Sequence, residues 1–489
     1  MDEANALLHA AIAHHRAGDA AAAARCCRAA LARAPGHAGA WHLLGLLADA
    51  AGGFGEAAAH MARAAALRPD QAFLWADLGA TQRRAGRPAE AEAALRMAVA
   101  LAPDHAGALT DLGNLLGERG RFDAAEPLLR RAHALRPGAD AAHNLAVVLA
   151  ALGRLDEAAA QCRAALRDAP DHADARYALG IVHLLAGRLR EGWAGFAWRW
   201  RRRGFAPPRR FARPAWDGAP LAGRRLLLYA EQGLGDAIQM LRFLPLLAAR
   251  GDTVLEVPAP LARLAATAAA GVPVIARGDP LPDFDLHCAL MDLPGVLGVG
   301  LADIPARVPY LAPPAWPALP RAADLRVGLA WAGNPLYPAD ARRSLAPARL
   351  HALAGVPGLR FVSLQRDARA LPPLPLDDPT AGFADLADAA SVIAGLDLVI
   401  AVDSAIAHLA GALGVEVWLL NRFDSCWRWL RDRADSPWYP TMRIFRQPAP
   451  GDWDPVLAEV RAALLARVDP QHFRLAAAAG CASLPPCAR

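Results

Sequence analysis

The sequence predicts two architectures in one chain. Residues 1–203 read as an α-helical solenoid of stacked helix pairs, followed by a linker at 204–224. Two α/β units on parallel sheets then occupy 225–313 and 324–468, with a disordered tail over 469–489. Three observations predict this. Gly18, Gly52, Gly86, Gly120, Gly153 and Gly187 recur every 34 residues with one step of 33, and Pro35, Pro69, Pro103, Pro137 and Pro170 keep the same beat. From residue 226 onward the pattern changes to short, continuous apolar runs separated by helical segments, as expected of parallel strands covered on both faces. The clearest such stretch, DLVIAVDSAIAHLAGALGVEVWLL at 397–420, reads as strand, polar break, helix, Gly414 and strand.

Length and composition bound the possibilities. A chain of 489 residues holds two to four domains, and 55% hydrophobic with 21% charged residues is globular. All 53 basic residues are arginine, a bias that a GC-rich bacterial genome explains, although arginine also grips phosphates with two donors. The net charge of +5 is thinly spread apart from an arginine cluster at 199–210, which argues against a nucleic-acid binder. Seven cysteines make no CxxC pair or zinc spacing, so no metal site is expected, and buried free thiols in a reducing cytoplasm are the natural reading. The opening MDEANALLHAAIAHHR lacks a basic region and a sustained apolar core, so it is not a secretory signal. Asp403, His408 and Glu416 interrupt 398–420, so that stretch is not a membrane span. A cytoplasmic protein is expected.

In each repeat two helical patterns flank the first glycine, and the proline closes the second. A further glycine (Gly45, Gly79, Gly113, Gly180) lets the paired helices approach closely, and Ala57, Ala91, Ala125 and Ala158 fill the crossing. This resembles the tetratricopeptide repeat, with Trp41 and Trp75 at its aromatic position. Five repeats span 4–172 and a degenerate sixth ends near 203. Such stacks present a concave surface for a peptide or protein; a scaffold or oligomerisation role is the alternative. His14, His42, His105 and His143 share no metal-like spacing and read as surface or packing residues.

Trp193, Trp198 and Trp200, then RRRGFAPPRRFARP, read as a capping helix and a proline-broken connector, with the arginines solvated; attraction of an acidic partner is the alternative. A strand at 226–230 leads into EQGLGD, a turn opening a helix. Gly233 and Gly235 permit a tight turn and close approach by a ligand, and Asp236 lies where a carboxylate caps helix N–H groups. On spacing alone, a pure capping role for Asp236 is the first reading and a functional carboxylate the alternative. Strands follow at 253–257, 272–276 and 284–288.

The proline-rich connector LAPPAWPALPRAAD leads to a strand at 325–330. The polar turn WAGNPLYPADARRSL follows, before a helix near 346. Asn334, Arg342 and Arg343 would lie at the carboxyl end of that strand, where the arginines suit a diphosphate; exposed loop arginines are the equal alternative. A strand at 360–364 ends in Gln365. Helices are expected at 383–395, 405–413 and 453–465. Asp403, Ser404 and His408 sit at a strand-to-helix turn, where free N–H groups favour anions. Trp427, Trp429, Trp438 and Tyr439 read as packing residues rather than a sugar platform.

Three motifs within 225–465 resemble the heptosyltransferase-type family of GT-B glycosyltransferases: GLGDAIQMLRFLPLL, GLAWAGNP and DLVIAVDSAIAHLAGALGVEVW. The resemblance implies two Rossmann-like halves with a cleft between them and metal-independent transfer from a nucleotide-sugar. It implies Asp236 as the base, Asp403 on sugar hydroxyls, and Ser404, His408, Asn334 and one of Arg342–Arg343 on the diphosphate. Gly233 and Gly235 form the close turn, and Gln365 stands where the family has a ribose-binding carboxylate. Ala405 replaces a family glycine, arginine replaces a donor-site lysine, and the first half is short. Repeats joined to such a unit also resemble O-GlcNAc transferases and bacterial flagellin-modifying transferases. The expectation is transfer of a sugar to a protein hydroxyl presented by the repeats, a flagellin-like acceptor among them. A lipid-linked or cell-surface glycan acceptor, or a repeat scaffold with a decayed transferase, are the alternatives. No cofactor beyond the nucleotide-sugar co-substrate, no nucleic acid and no membrane span are expected.

Overall fold

The computed structural model describes residues 2–268, 271–314, 324–366, 368 and 370–468. The tail from 469 and the central part of the proline-rich connector, 315–323, lie outside the described residues. The chain divides into two compact units, Met1–Ala175 and Arg176–Arg489.

The first unit contains five antiparallel helix pairs: Asp2–Arg16 with Ala20–Arg33, Ala38–Ala50 with Phe54–Leu67, Ala72–Arg84 with Pro88–Leu101, Ala106–Glu118 with Phe122–Leu135, and Ala139–Ala151 with Leu155–Asp168. The recurring turn glycine has a φ of +71° to +82° in every repeat, the left-handed conformation that a side chain disfavours. At the crossing glycine a side chain has no room. A Cβ on Gly79 would lie 2.5 Å from Leu95 Cγ, and one on Gly113 would lie 2.6 Å from Leu129 Cγ. Ala57, Ala91, Ala125 and Ala158 are fully buried opposite this position. Several histidines prove to be caps: Nδ1 of His37, His105 and His172 accepts from the backbone N–H three residues on, at 3.3, 3.0 and 3.1 Å. Ion pairs fasten successive repeats. Glu92 is almost completely buried and holds Arg96, Arg119 and Arg121 at 2.6–2.8 Å. One repeat on, Glu126 holds Arg130 and Arg154 at 2.6 and 3.2 Å.

The second unit contains two wholly parallel sheets. The first is built from β1 (Leu226–Tyr229), β2 (Thr253–Val257), β3 (Val274–Ala276) and β4 (Leu286–Ala289), in the order β3-β2-β1-β4. The second is built from β5 (Leu325–Ala330), β6 (Leu359–Ser363), β7 (Leu376–Asp377), β8 (Leu398–Val402), β9 (Val417–Asn421) and β10 (Met442–Arg446). Its order is β10-β9-β8-β5-β6-β7. Each sheet grows from its first strand in one direction and then crosses to the other side. That crossing creates a switch point at β1/β4 in the first sheet and at β5/β8 in the second, where ligands bind in doubly wound sheets. Strands β1, β8 and β9 are buried at every position, which explains their continuous apolar runs. The second sheet's core includes Val327, Leu329, Ile400, Trp418 and Phe445.

Three expectations need correction. The helix expected near 346 is a 3-10 helix, Pro347–Leu353, preceded by one α-turn, Asp340–Arg343. The seven-residue segment buries only Leu350 and Leu353, three positions apart, so it never gains an apolar face long enough to propagate as an α-helix. Strands β7 and β10 were not expected. The arginines of the run 201–214 are exposed or half-exposed, as expected of a solvated junction, whereas Arg199, just before it, is fully buried. The residues assigned to a linker, 204–224, partly pack on and extend the first sheet. Ala215 bridges His287 of β4 in parallel, Arg209 pairs with the buried Glu256, and the Phe211 ring packs on His287 at 4.6 Å.

Candidate functional site

The first switch point delivers the turn at 231–236. β1 ends at Tyr229 and the chain turns through Glu231 and Gly233 into the helix Leu234–Met240. Asp236 Oδ2 accepts from the Gly233 N–H at 2.8 Å, which closes the turn on itself. The second switch point delivers Asp403 and Ser404 after β8, then the helix Ala405–Ala412 with His408 one turn in. Asp403 and His408 are buried, and Ser404 Oγ is buried with no hydrogen-bond partner among the described residues.

These two turns meet. A Cβ on Gly235 would lie 2.9 Å from His408 Cδ2 and 3.3 Å from Ala405 Cα, so only glycine permits this approach. Asp236 therefore lies beside the His408 helix although 172 positions separate the two residues. Arg428 joins the halves further. It pairs with Asp236 Oδ1, donates through Nε to Gln239 Oε1 at 2.6 Å, and lies 4.3 Å from the Trp427 ring centroid. Arg242 donates to the Trp438 carbonyl at 2.6 Å and stacks on Tyr310, Trp438 and Tyr439.

The electrostatics follow from burial among guanidinium groups. Burial pushes the His408 imidazole well below its usual range, and Arg428, Arg242 and Arg343 push it the same way. The ring is neutral at pH 7, with Nδ1 2.9 Å from the Tyr439 hydroxyl and its face 5.1 Å from Trp429. Burial opposes charge on Arg428, but Asp236 and then Cys426 and Asp403 outweigh it and raise its pKa. Burial likewise opposes charge on Arg422, where Asp424 is the chief group raising the pKa, with Asp403 also contributing. Both guanidiniums are thus buried and each has a carboxylate beside it, Asp236 for Arg428 and Asp424 for Arg422.

The remaining expected residues lie along the carboxyl ends of β5 and β6. Arg342 pairs with Asp424 at 3.0 Å, and Arg343 pairs with Asp340 at 2.9 Å while covering the Tyr337 ring. Neither is a free loop arginine. Asn334 is exposed, and its Oδ1 accepts from the Leu336 N–H at 3.0 Å. Gln365 Oε1 accepts from the Trp331 and Ala332 N–H groups at 3.1 and 2.9 Å, which fixes the loop leaving β5. Trp427, Trp429, Trp438 and Tyr439 are all buried.

Sequence reasoning passed over Arg428, Arg422, Arg242, Arg199 and Glu231. Arg428 and Arg199 look like surface residues because their carboxylate partners, Asp236 for the first and Glu231 and Asp292 for the second, are distant in sequence. One signal was present: Trp-Arg-Trp occurs twice, at 198–200 and 427–429. Among the described residues no three His, Cys, Asp or Glu side chains cluster as a metal site, and no helix is long and apolar enough to cross a membrane. The five described cysteines are free thiols.

Comparison with known proteins places the repeats. Tetratricopeptide repeat family models match residues 70–137, 110–171 and 163–192, so this region consists of tetratricopeptide repeats. Protein FlbA of Caulobacter vibrioides is 31% identical over 369 residues, covering 66% of this chain and 60% of that protein. The match thus spans about three fifths of that relative's length. Since 66% of 489 residues exceeds the 203-residue array, the likeness extends into the α/β unit. Solved structures similar to the chain include YrrB, a TPR protein with an unusual peptide-binding site. It is 22% identical, covers 35% of this chain and 89% of its own, and has a TM-score of 0.32. PilW, a type IV pilus biogenesis factor, is 22% identical, covers 42% and 94%, and has a TM-score of 0.37.

Proposed function

We propose that the chain is a glycosyltransferase of GT-B type that moves a sugar from a nucleotide-sugar to a hydroxyl of a protein held by its repeats. The observation that carries this reading is the meeting of the two turns, with Gly235 packed against His408 and Ala405. It sets Asp236 beside a helix N-terminus framed by Asp403, Ser404 and His408, all at the switch points of parallel sheets. The motif resemblance noted above assigns these residues the base and donor roles.

In this reading the diphosphate lies at the head of the Ala405–Ala412 helix. Ser404 Oγ, which has no partner among the described residues, donates to it. The Arg422 and Arg428 guanidiniums offset the charge that develops as the nucleoside diphosphate leaves. Neutral His408 serves as a hydrogen-bonding group rather than a cation. Asp236 takes the proton from the acceptor hydroxyl as the oxygen attacks the anomeric carbon. Both Asp236 oxygens are engaged, by Gly233 and by Arg428, and each keeps a second lone pair with which to accept from the acceptor hydroxyl.

The test is calorimetry of the full chain against a panel of nucleotide-sugars, followed by transfer assays with the donor that binds. Asp236→Asn should abolish transfer and leave donor affinity intact, whereas Ser404→Ala and His408→Ala should weaken donor binding. Transfer that survives all three changes together would sink the proposal. The engagement of Asp236 also favours a second reading, a repeat scaffold whose transferase half no longer turns over. A chain that binds a nucleotide-sugar without transferring it would support that alternative.

A further inference from the structure

The two Trp-Arg-Trp triplets behave alike. Each lies on a short 3-10 helix, Ala197–Arg201 and Trp427–Trp429, and each buries its central arginine. Arg199 lies 4.4 Å from the Trp200 ring and 4.7 Å from Phe196, and Arg428 lies 4.3 Å from Trp427. Both reach the same turn. Arg199 Nη2 meets Glu231 at 2.9 Å and its Nη1 meets Asp292, just past β4, at 2.6 Å. Arg428 pairs with Asp236. The turn that carries the candidate base is therefore held at 231 by one triplet and at 236 by the other.

The triplets also touch one another's surroundings. Trp427 packs edge-on against Trp193 at 5.2 Å and against Phe196 at 6.1 Å. Trp193 donates to the Val299 carbonyl at 2.8 Å. Trp193, Phe196 and Arg199 all belong to the helical segment Leu189–Phe196 and its 3-10 extension, which read in sequence as the end of the repeat array. Buried arginine is costly, and cation–π stacking with bidentate pairing is how a guanidinium is kept in one place. Burial pushes the Glu231 carboxyl up to about 7 even though Arg199 opposes this, so the clamp acts on a group well removed from water.

We propose that the two Trp-Arg-Trp triplets form a two-sided clamp on the 231–236 turn, and that Arg199 and Trp427 are positioning residues of the site. The helical segment before the sheets is then part of the transferase machinery rather than a cap on the repeats. The catalytic meaning of the clamp rests on the transferase reading, but its existence does not.

Hydrogen exchange of the full chain separates the two. In Arg199→Lys and Trp427→Leu the amides of 231–240 should exchange at least about tenfold faster, while β6 and the helix Asp454–Val468 stay within about twofold. Trp427→Phe, which keeps an aromatic face for Arg428, should restore protection. With the donor found by calorimetry, the same two variants should lose at least about tenfold in kcat with donor KM within about twofold. Unchanged exchange at 231–240 overturns the clamp. So does an equal loss across both sheets, which would mark these residues as general packing, and the Trp427 pair still decides if Arg199→Lys does not fold. A wild-type chain that transfers nothing removes the transferase reading while the exchange result stands.

Discussion

Gly235→Ala is the most direct perturbation of the meeting between the two turns. Its added methyl would lie 2.9 Å from His408 Cδ2 and 3.3 Å from Ala405 Cα. The first contact is closer than carbon atoms tolerate, and His408 cannot retreat because Trp429 and Tyr439 enclose it. Overpacking of this kind costs about 1–3 kcal/mol. Two other glycines calibrate the estimate. A methyl on Gly382 meets nothing within 4 Å, so Gly382→Ala should be neutral or stabilise by up to about 1 kcal/mol. One on Gly411 would lie 2.5 Å from Tyr439 Cδ1, in a ring that is fully buried, so Gly411→Ala should cost more than about 3 kcal/mol. Urea unfolding of the full chain, followed by near-ultraviolet circular dichroism of the buried aromatic cluster, should rank the three in that order. Gly235→Ala should also weaken nucleotide-sugar binding, whereas Gly382→Ala should not. A stable Gly235→Ala protein with unchanged binding would refute the close approach of the turns.

Three further outcomes follow from the same geometry. Glu231 has its pKa raised from 4.5 to about 7, chiefly by burial, so the folded state holds the proton more tightly. Its stabilising contribution is complete below about pH 4.5 and is lost as pH rises to about 7, an effect of up to about 3 kcal/mol. Thermal or urea stability of wild type relative to Glu231→Gln should therefore fall across that window, and a flat difference would contradict the burial. Arg428→Lys leaves one ammonium to serve Asp236, Gln239 and Cys426, which the guanidinium contacts together; transfer should fall at least about tenfold in a kinetic assay. Glu92→Gln leaves Arg96, Arg119 and Arg121 without their shared carboxylate. Because those arginines are half exposed, the cost should be about 1–2 kcal/mol, read as earlier loss of helical signal on heating.

The repeats were legible because each constraint recurs. The turn glycine needs its positive φ and the crossing glycine its missing side chain in successive units, so period and residue type reinforce one another. Strands β1, β8 and β9 were legible because they are buried on both faces. β10 was not, since it lies at the sheet edge and Arg443 and Arg446 interrupt its apolar pattern. Asp236, Asp403, Ser404 and His408 could be singled out because each stands at a strand-to-helix turn. The arginines that frame them could not, because a buried guanidinium and a surface one look alike until the fold supplies the partner. Arg428 and Asp236 are 192 positions apart, and nothing local records that they meet. Gln365 shows the converse: its position beside a switch point drew attention, and the structure reveals its side chain bracing the backbone that leaves β5.

Calorimetry of the full chain against nucleotide-sugars tests the central claim most directly. The account predicts that one nucleotide-diphosphate sugar binds in wild type and Asp236→Asn alike, and that His408→Ala weakens this at least about tenfold. No binding by any member of the panel, or binding indifferent to His408, would contradict it.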